Sequence, residues 1–169
     1  MRKFLSLMVC ALLLASCGAL SHTPQERAAQ KAAEEEMVKT ALENQNFRIN
    51  VTSVTPLLAG SRSISGFWMK VESTHVQCFL PYIGRDDILH KKTPGEMRMD
   101  SKLEFSSPIE DYLHQYNPET NTRLITFNTL YRGEEYKFNL LVEHTDEARI
   151  RVIPESRDEI VYEGRVQLP

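Results

Sequence analysis

The chain has 169 residues, 41% hydrophobic and 25% charged, with a formal charge of −3 at pH 7. That length suffices for one domain with its own core. A mildly acidic chain lacks the basic stripe that contact with nucleic-acid phosphates requires, so nucleic acid is excluded as a partner.

Arg2 and Lys3 precede an apolar run from Phe4 to Leu14 and a small-residue exit at Leu14, Ala15 and Ser16, the layout of a cleaved export signal. The run falls short of the about 20 apolar residues of a membrane span and is broken by Ser6. Leu14-Ala15-Ser16-Cys17-Gly18 resembles the lipobox of bacterial lipoproteins. The resemblance implies that the Cys17 thiol accepts a diacylglyceryl group, that the chain is cut just before it, and that the new amino group is acylated. Two or more acyl chains anchor stably where one binds only marginally. Residues 1–16 are therefore expected to leave and 17–22 to form a lipidated tether. Removal takes Arg2 and Lys3 and no acid, so the remaining 153 residues carry −5. Of three cysteines, Cys10 leaves with the signal and Cys17 becomes a thioether. Cys78 then has no disulfide partner in the chain, even in an oxidising envelope. Gly18 is not the aspartate of inner-membrane retention, and Ala19 to Pro24 lack an early acidic cluster of the surface-export type. The expected location is the cell envelope, on the outer membrane facing the periplasm.

A helix is expected over residues 23–46. Thr23 and Glu26 form a capping box with Pro24 at the first helical position, and the residues that follow are rich in Ala, Glu, Lys and Gln. Glu35 has Lys31 and Lys39 four residues away on either side, the spacing of helical ion pairs. Apolar residues gather late, at Met37, Val38, Ala41 and Leu42, which predicts a polar first half and a packed second half. About 22 residues at 1.5 Å rise reach about 33 Å, long enough for a stalk.

From Phe47 the hydrophobic period changes from 3.6 to 2 and stays there, which defines a β domain over 47–169. Phe47, Ile49 and Val51 share one face; Phe67, Met69 and Val71 another; Val76, Cys78 and Leu80 a third, ending at Pro81-Tyr82. Residues 83–95 form a loop, and weaker strands are expected at 97–99, 103–105 and 109–116. Distal to the Asn117-Pro118 turn come strands at 124–131, then Tyr136 to Val142, Ala148 to Val152, and Ile160 to Leu168, separated by turn residues. Short connections between neighbours imply antiparallel hairpins. The fold class is mainly β: an antiparallel meander of about 8–9 strands preceded by one long helix. To bury its apolar side the sheet curls into a partial barrel or folds into a two-layer sandwich.

The lipobox, the helix, the segment Leu80-Pro81-Tyr82-Ile83-Gly84-Arg85, and Ser156-Arg157 followed by Ile160, Tyr162, Gly164 and Val166 together resemble a family of uncharacterised lipoproteins of Bacteroides-type gut bacteria, catalogued as a domain of unknown function. The similarity covers residues 47–166 and implies the anchor and a β-rich fold, without a mechanism. In that family a Gly-rich aromatic loop usually follows the Leu-Pro-Tyr motif; here Asp86 to Lys92 is charged and bulky. Pro81 cannot donate to a ladder and so ends its strand or marks an edge. Tyr82 and Arg85 are candidate ligand or partner contacts at a rim.

Nothing reads as catalytic, and no enzyme activity is expected. Of five histidines only His90, beside Asp86 and Asp87, resembles a ligand cluster, and a zinc site needs three or four converging donors. No metal or other cofactor is expected. Phosphate-binding and nucleophile-elbow motifs are absent, and Glu134 and Glu135 lie at a turn, where exposure is the default. Trp68, the single tryptophan, falls on the polar face of its strand and is a candidate partner contact. The expected function is a membrane-anchored, non-catalytic binding or assembly module for a small apolar ligand or an envelope protein. The alternative is a structural accessory protein without a pocket, acting through the face around Trp68. A hydrolase ranks third.

Overall fold

The computed structural model describes residues 23–84, 102–143 and 146–167. Among them the chain forms a helix, α1 (Pro24–Glu43), and nine strands: β1 (Asn46–Pro56), β2 (Arg62–Glu72), β3 (His75–Pro81), β4 (Lys102–Pro108), β5 (Glu110–Asn117), β6 (Thr122–Tyr131), β7 (Glu134–Glu143), β8 (Glu147–Pro154) and β9 (Ile160–Gln167). The chain divides into two units whose boundary falls within α1, between Ala32 and Ala33. Cys17, Arg85, His90 and the strand expected at 97–99 lie outside the described residues.

In the first unit, residues 23–32 are exposed throughout. The helix opens on its cap: Thr23 N donates to Glu26 Oε2 at 2.7 Å and Glu26 N donates to Thr23 Oγ1 at 3.2 Å. This pairing satisfies two amide groups, one of them an N–H that a helix start leaves without an intrahelical partner.

The second unit begins with the latter half of α1, which buries Val38, Ala41 and Leu42. Met37, expected beside them, stays 50% exposed, because the buried stripe runs through positions 38, 41 and 42 only. The expected pairing of Glu35 with lysines gives way to other partners. Lys39 Nζ reaches Glu36 at 3.0 Å, and Glu35 accepts from Asn121 Nδ2 at 2.7 Å. The helix stops at Glu43, short of Asn46, since Gln45 takes a φ of 52° and Asn46 is already paired with Glu72 in the sheet.

All nine strands form one antiparallel sheet in the order β4-β3-β2-β1-β9-β8-β7-β6-β5. Consecutive strands pair within β1 to β4 and within β5 to β9, and β1 with β9 joins the two runs. The two edges, β4 and β5, are consecutive and separated by Ile109 alone. Pro108 ends the ladder with β3 opposite His75, and Glu110 opens the ladder with β6 opposite Asn128. The chain therefore changes partners at this corner, and a proline fits where no ladder N–H is needed. Ile109 N donates to Thr74 O at 2.7 Å and Thr129 Oγ1 donates to Pro108 O at 2.7 Å, pinning the corner to both sides. The result is a nearly closed, barrel-like sheet; of the two closures the sequence permits, this is the partial barrel.

Inward positions are filled by side chains. Tyr162, Phe47, Phe127, Phe138, Ile49, Met69, Leu80, Ile125, Leu140 and Ile150 are each under 2% exposed. Along β1 the register against both neighbours shifts between Val51 and Ser53, a bulge that brings Val54 inward after Val51. Gly164 faces this bulge. A Cβ there would stand 2.2 Å from Asn50 O, so the residue must be glycine for β9 to approach β1.

Candidate functional site

Of the two segments that carry the resemblance, the described residues 80–84 and 156–166 meet in space. Arg157 lays its guanidinium over the ring of Tyr82, 4.6 Å from the centroid, while the Tyr82 hydroxyl donates to Asp158 O at 2.8 Å. Tyr162, fully buried, donates to Pro81 O at 2.9 Å. Tyr82 is itself 4% exposed, so its ring and hydroxyl are engaged within the fold.

Glu134 organises the same corner. It accepts from Arg157 Nη2 at 2.8 Å and Nε at 3.2 Å, from Ser156 Oγ at 2.7 Å and from the Tyr136 hydroxyl at 2.6 Å. Arg157 also contacts the Tyr136 hydroxyl. Partial burial pushes the Glu134 carboxyl up, but the hydrogen bonds from Arg157, Tyr136 and Ser156 outweigh it and hold the pKa at about 2. Burial, reinforced by Glu134, pushes the Tyr136 phenol up to about 12. A carboxylate so firmly ionised is a poor proton acceptor near neutrality. It is a clasp that joins the start of β7 to the β8–β9 connection. Beneath it Phe105 stacks on Tyr131 at 4.7 Å and meets Tyr136 at 5.4 Å, filling the side of the seam where β4 and β6 lie close without a ladder.

Sequence reading missed Glu134 by taking a turn carboxylate as solvated. The Glu134-x-Tyr136 spacing, which places both side chains on one face of β7, was the available signal.

The outer face of β1 to β4 carries a second group. Trp68 and Phe79 are cross-strand partners with ring centroids 6.5 Å apart. Arg48 stands over the Trp68 ring at 4.5 Å and Lys102 Nζ over the Phe79 ring at 4.9 Å. The row Arg48, Trp68, Phe79, Lys102 thus runs across four strands, with a cation at each end and aromatic rings between. Phe67 stacks on Phe79 at 5.4 Å. Beside Trp68 a groove of about 330 Å³ is lined by Asn50, Ile64, Gly66 and Phe67. Trp68 lies where its strand parity places it, half-buried by Arg48 and Phe79.

The remaining candidates do not converge. Among the described residues no group of three His, Cys, Asp or Glu side chains is placed to hold a metal ion. Cys78 is buried between Met69 and Phe105 in the ladder, and burial drives its thiol far above the usual range. Arg149 and Arg151, on the outer face of β8, pair with Glu163 and Glu159. No described helix is long and apolar enough to cross a membrane.

Over residues 29–166 the chain matches the family described as Domain of unknown function (DUF4251). It is similar in structure to a DUF4251 family protein from Bacteroides eggerthii, with a TM-score of 0.65 and 11% identity over 83% of this chain and 91% of that one. At that identity the likeness concerns the fold alone. No curated protein matches the sequence.

Proposed function

Because the chain belongs to the DUF4251 family, whose shared domain has no known function, we propose a role from the physics of its own surface. The protein is a lipid-anchored envelope protein, held through Cys17 on the outer membrane and facing the periplasm. It works without catalysis as a binding or assembly module, and its contacts are made on the outside of the barrel.

The observation that carries this reading is the contrast between the two faces of the sheet. The inward face is packed with large apolar side chains, which speaks for an envelope protein as partner over a small apolar ligand. In the outward row Arg48, Trp68 and Phe79 are of the types enriched at protein interfaces, and Arg48 and Lys102 are cations suited to carboxylates on the partner. The same packed interior favours, as a second reading, an accessory role that is purely structural. The two differ in whether a discrete partner is retained.

The test is photo-crosslinking in the native host from position 65, exposed on β2 near Trp68, with position 149 as control. The binding reading expects one discrete envelope protein captured from position 65 and lost with Trp68→Ala. Capture of nothing, or equal capture from both positions, favours the structural reading. Intact mass of the membrane fraction tests the anchor: an unmodified polypeptide released into the soluble fraction overturns it.

A further inference from the structure

Arg123 points into the barrel from β6 and is 3% exposed, in a row whose next inward members are Ile125 and Phe127. Its guanidinium stands over the Tyr116 ring at 4.8 Å. Its Nε and Nη1 are buried and have no hydrogen-bond partner among the described residues. His114 lies on the same face of β5, paired with Ile125 while Tyr116 pairs with Arg123. Its Nε2 is also buried and unpartnered.

A guanidinium stays charged under any condition in which the protein folds. Buried without a counter-charge it is strongly disfavoured, and an aromatic ring offsets only part of that. From α1, Lys39 bridges Glu36 at 3.0 Å and feels the field of Arg123. Glu43, also from α1, acts on both Lys39 and His114. Glu35 accepts from Asn121 in the β5–β6 turn. None of these carboxylates pairs with Arg123 among the described residues, although two cations and an imidazole share the place.

We infer that Arg123 and His114 form a receiving site for a small oxyanion of the carboxylate class. It enters between α1 and the β5–β6 hairpin, where Lys39 is 39% exposed and Tyr116 is 52% exposed. One guanidinium N–H and the Nε2–H tautomer of a neutral imidazole can each donate to an oxygen of a carboxylate. This site stands apart from the outer row around Trp68 and does not depend on it.

The experiment follows the imidazole resonances of His114 in the isotopically labelled, detergent-solubilised mature chain during titration with sodium acetate at fixed pH and ionic strength, with exposed His75 as internal control. The expected result is a saturable shift at His114 alone, absent in Arg123→Gln and weakened in Arg123→Lys. A shift that is absent, linear in acetate, matched at His75 or retained in Arg123→Gln overturns the site. Should Arg123→Gln fail to fold, a crystal structure of the wild-type chain with acetate decides. A carboxylate of acetate on Nε or Nη1 supports the site, and the carboxylate of Glu35 or Glu43 there, or water alone, overturns it.

Discussion

Arg157, in the β8–β9 connection, covers the ring of Tyr82 while its fork grips Glu134. One side chain thereby ties the end of β3 to the start of β7. The carboxylate is the titratable member of this clasp. Its pKa is lowered when folded, so its contribution is present above the ordinary carboxylate value of 4.5 and is lost as pH falls through about 2. Acid unfolding of the wild type followed by circular dichroism should show a component between those values that Glu134→Gln lacks. At pH 7 the variant should be less stable by about 1–2 kcal/mol, discounted for the partial exposure of the pair. Equal acid profiles for both proteins would dismiss the clasp.

The bulge of β1 and the glycine of β9 make a second prediction. Gly164→Ala places a methyl group against Asn50 O and Val51 Cα, which are backbone atoms and cannot swing aside. The cost should be about 3 kcal/mol, at or beyond the upper end of ordinary overpacking, read as a lowered urea midpoint with an unchanged slope. Gly60→Ala, with open space around its Cβ position, is the matched control and should change little.

Cys78 should behave as a core residue. Its thiol is 3% exposed and its deprotonation is opposed by burial. Reaction with a thiol reagent at pH 8 should therefore follow global unfolding and accelerate in step with added urea. Rapid labelling of the folded chain would place the thiol at the surface.

Since Trp68 is the single tryptophan, its fluorescence reports the outer row without interference. Arg48→Gln should shift the emission to longer wavelength by admitting water to the indole face. The loss of stability should be no more than about 1 kcal/mol, the scale of an exposed cation–π contact. An unchanged spectrum would mean that Arg48 does not cover the ring in solution.

Much of this architecture was legible in the residues because alternation is a local property. The inward sets of β1, β3, β7 and β8 are the apolar positions of a period-2 pattern, and the helix start is written in Thr23 and Glu26. What was illegible depends on partners far along the chain. Glu134 and Arg157 are 23 residues apart and find each other only across a turn. On β6 the parity is inverted in chemical terms, with Arg123 and Thr129 facing in and Leu124 and Leu130 facing out. Alternation with Ile125 and Phe127 keeps Leu124 and Leu130 on the outer face, and it is the inward Arg123 that residue type alone would have left in solvent. Of the candidate contacts, Trp68 lies where parity placed it and Tyr82 is engaged inside the fold, while Arg85 and Cys17 fall outside the described residues.

The strand order bears on how the chain assembles. Seven of the eight hydrogen-bonded pairings in the described sheet join chain neighbours, and β1 with β9 is the exception. Two zippers, β1 to β4 and β5 to β9, can each close between chain neighbours, with residues 82–101 the longest connection, leaving the encounter of β1 with β9, the most distant in sequence, for last. During synthesis that encounter must wait for the final strand to emerge, so a chain truncated before Ile160 retains hairpins but has no means of becoming round.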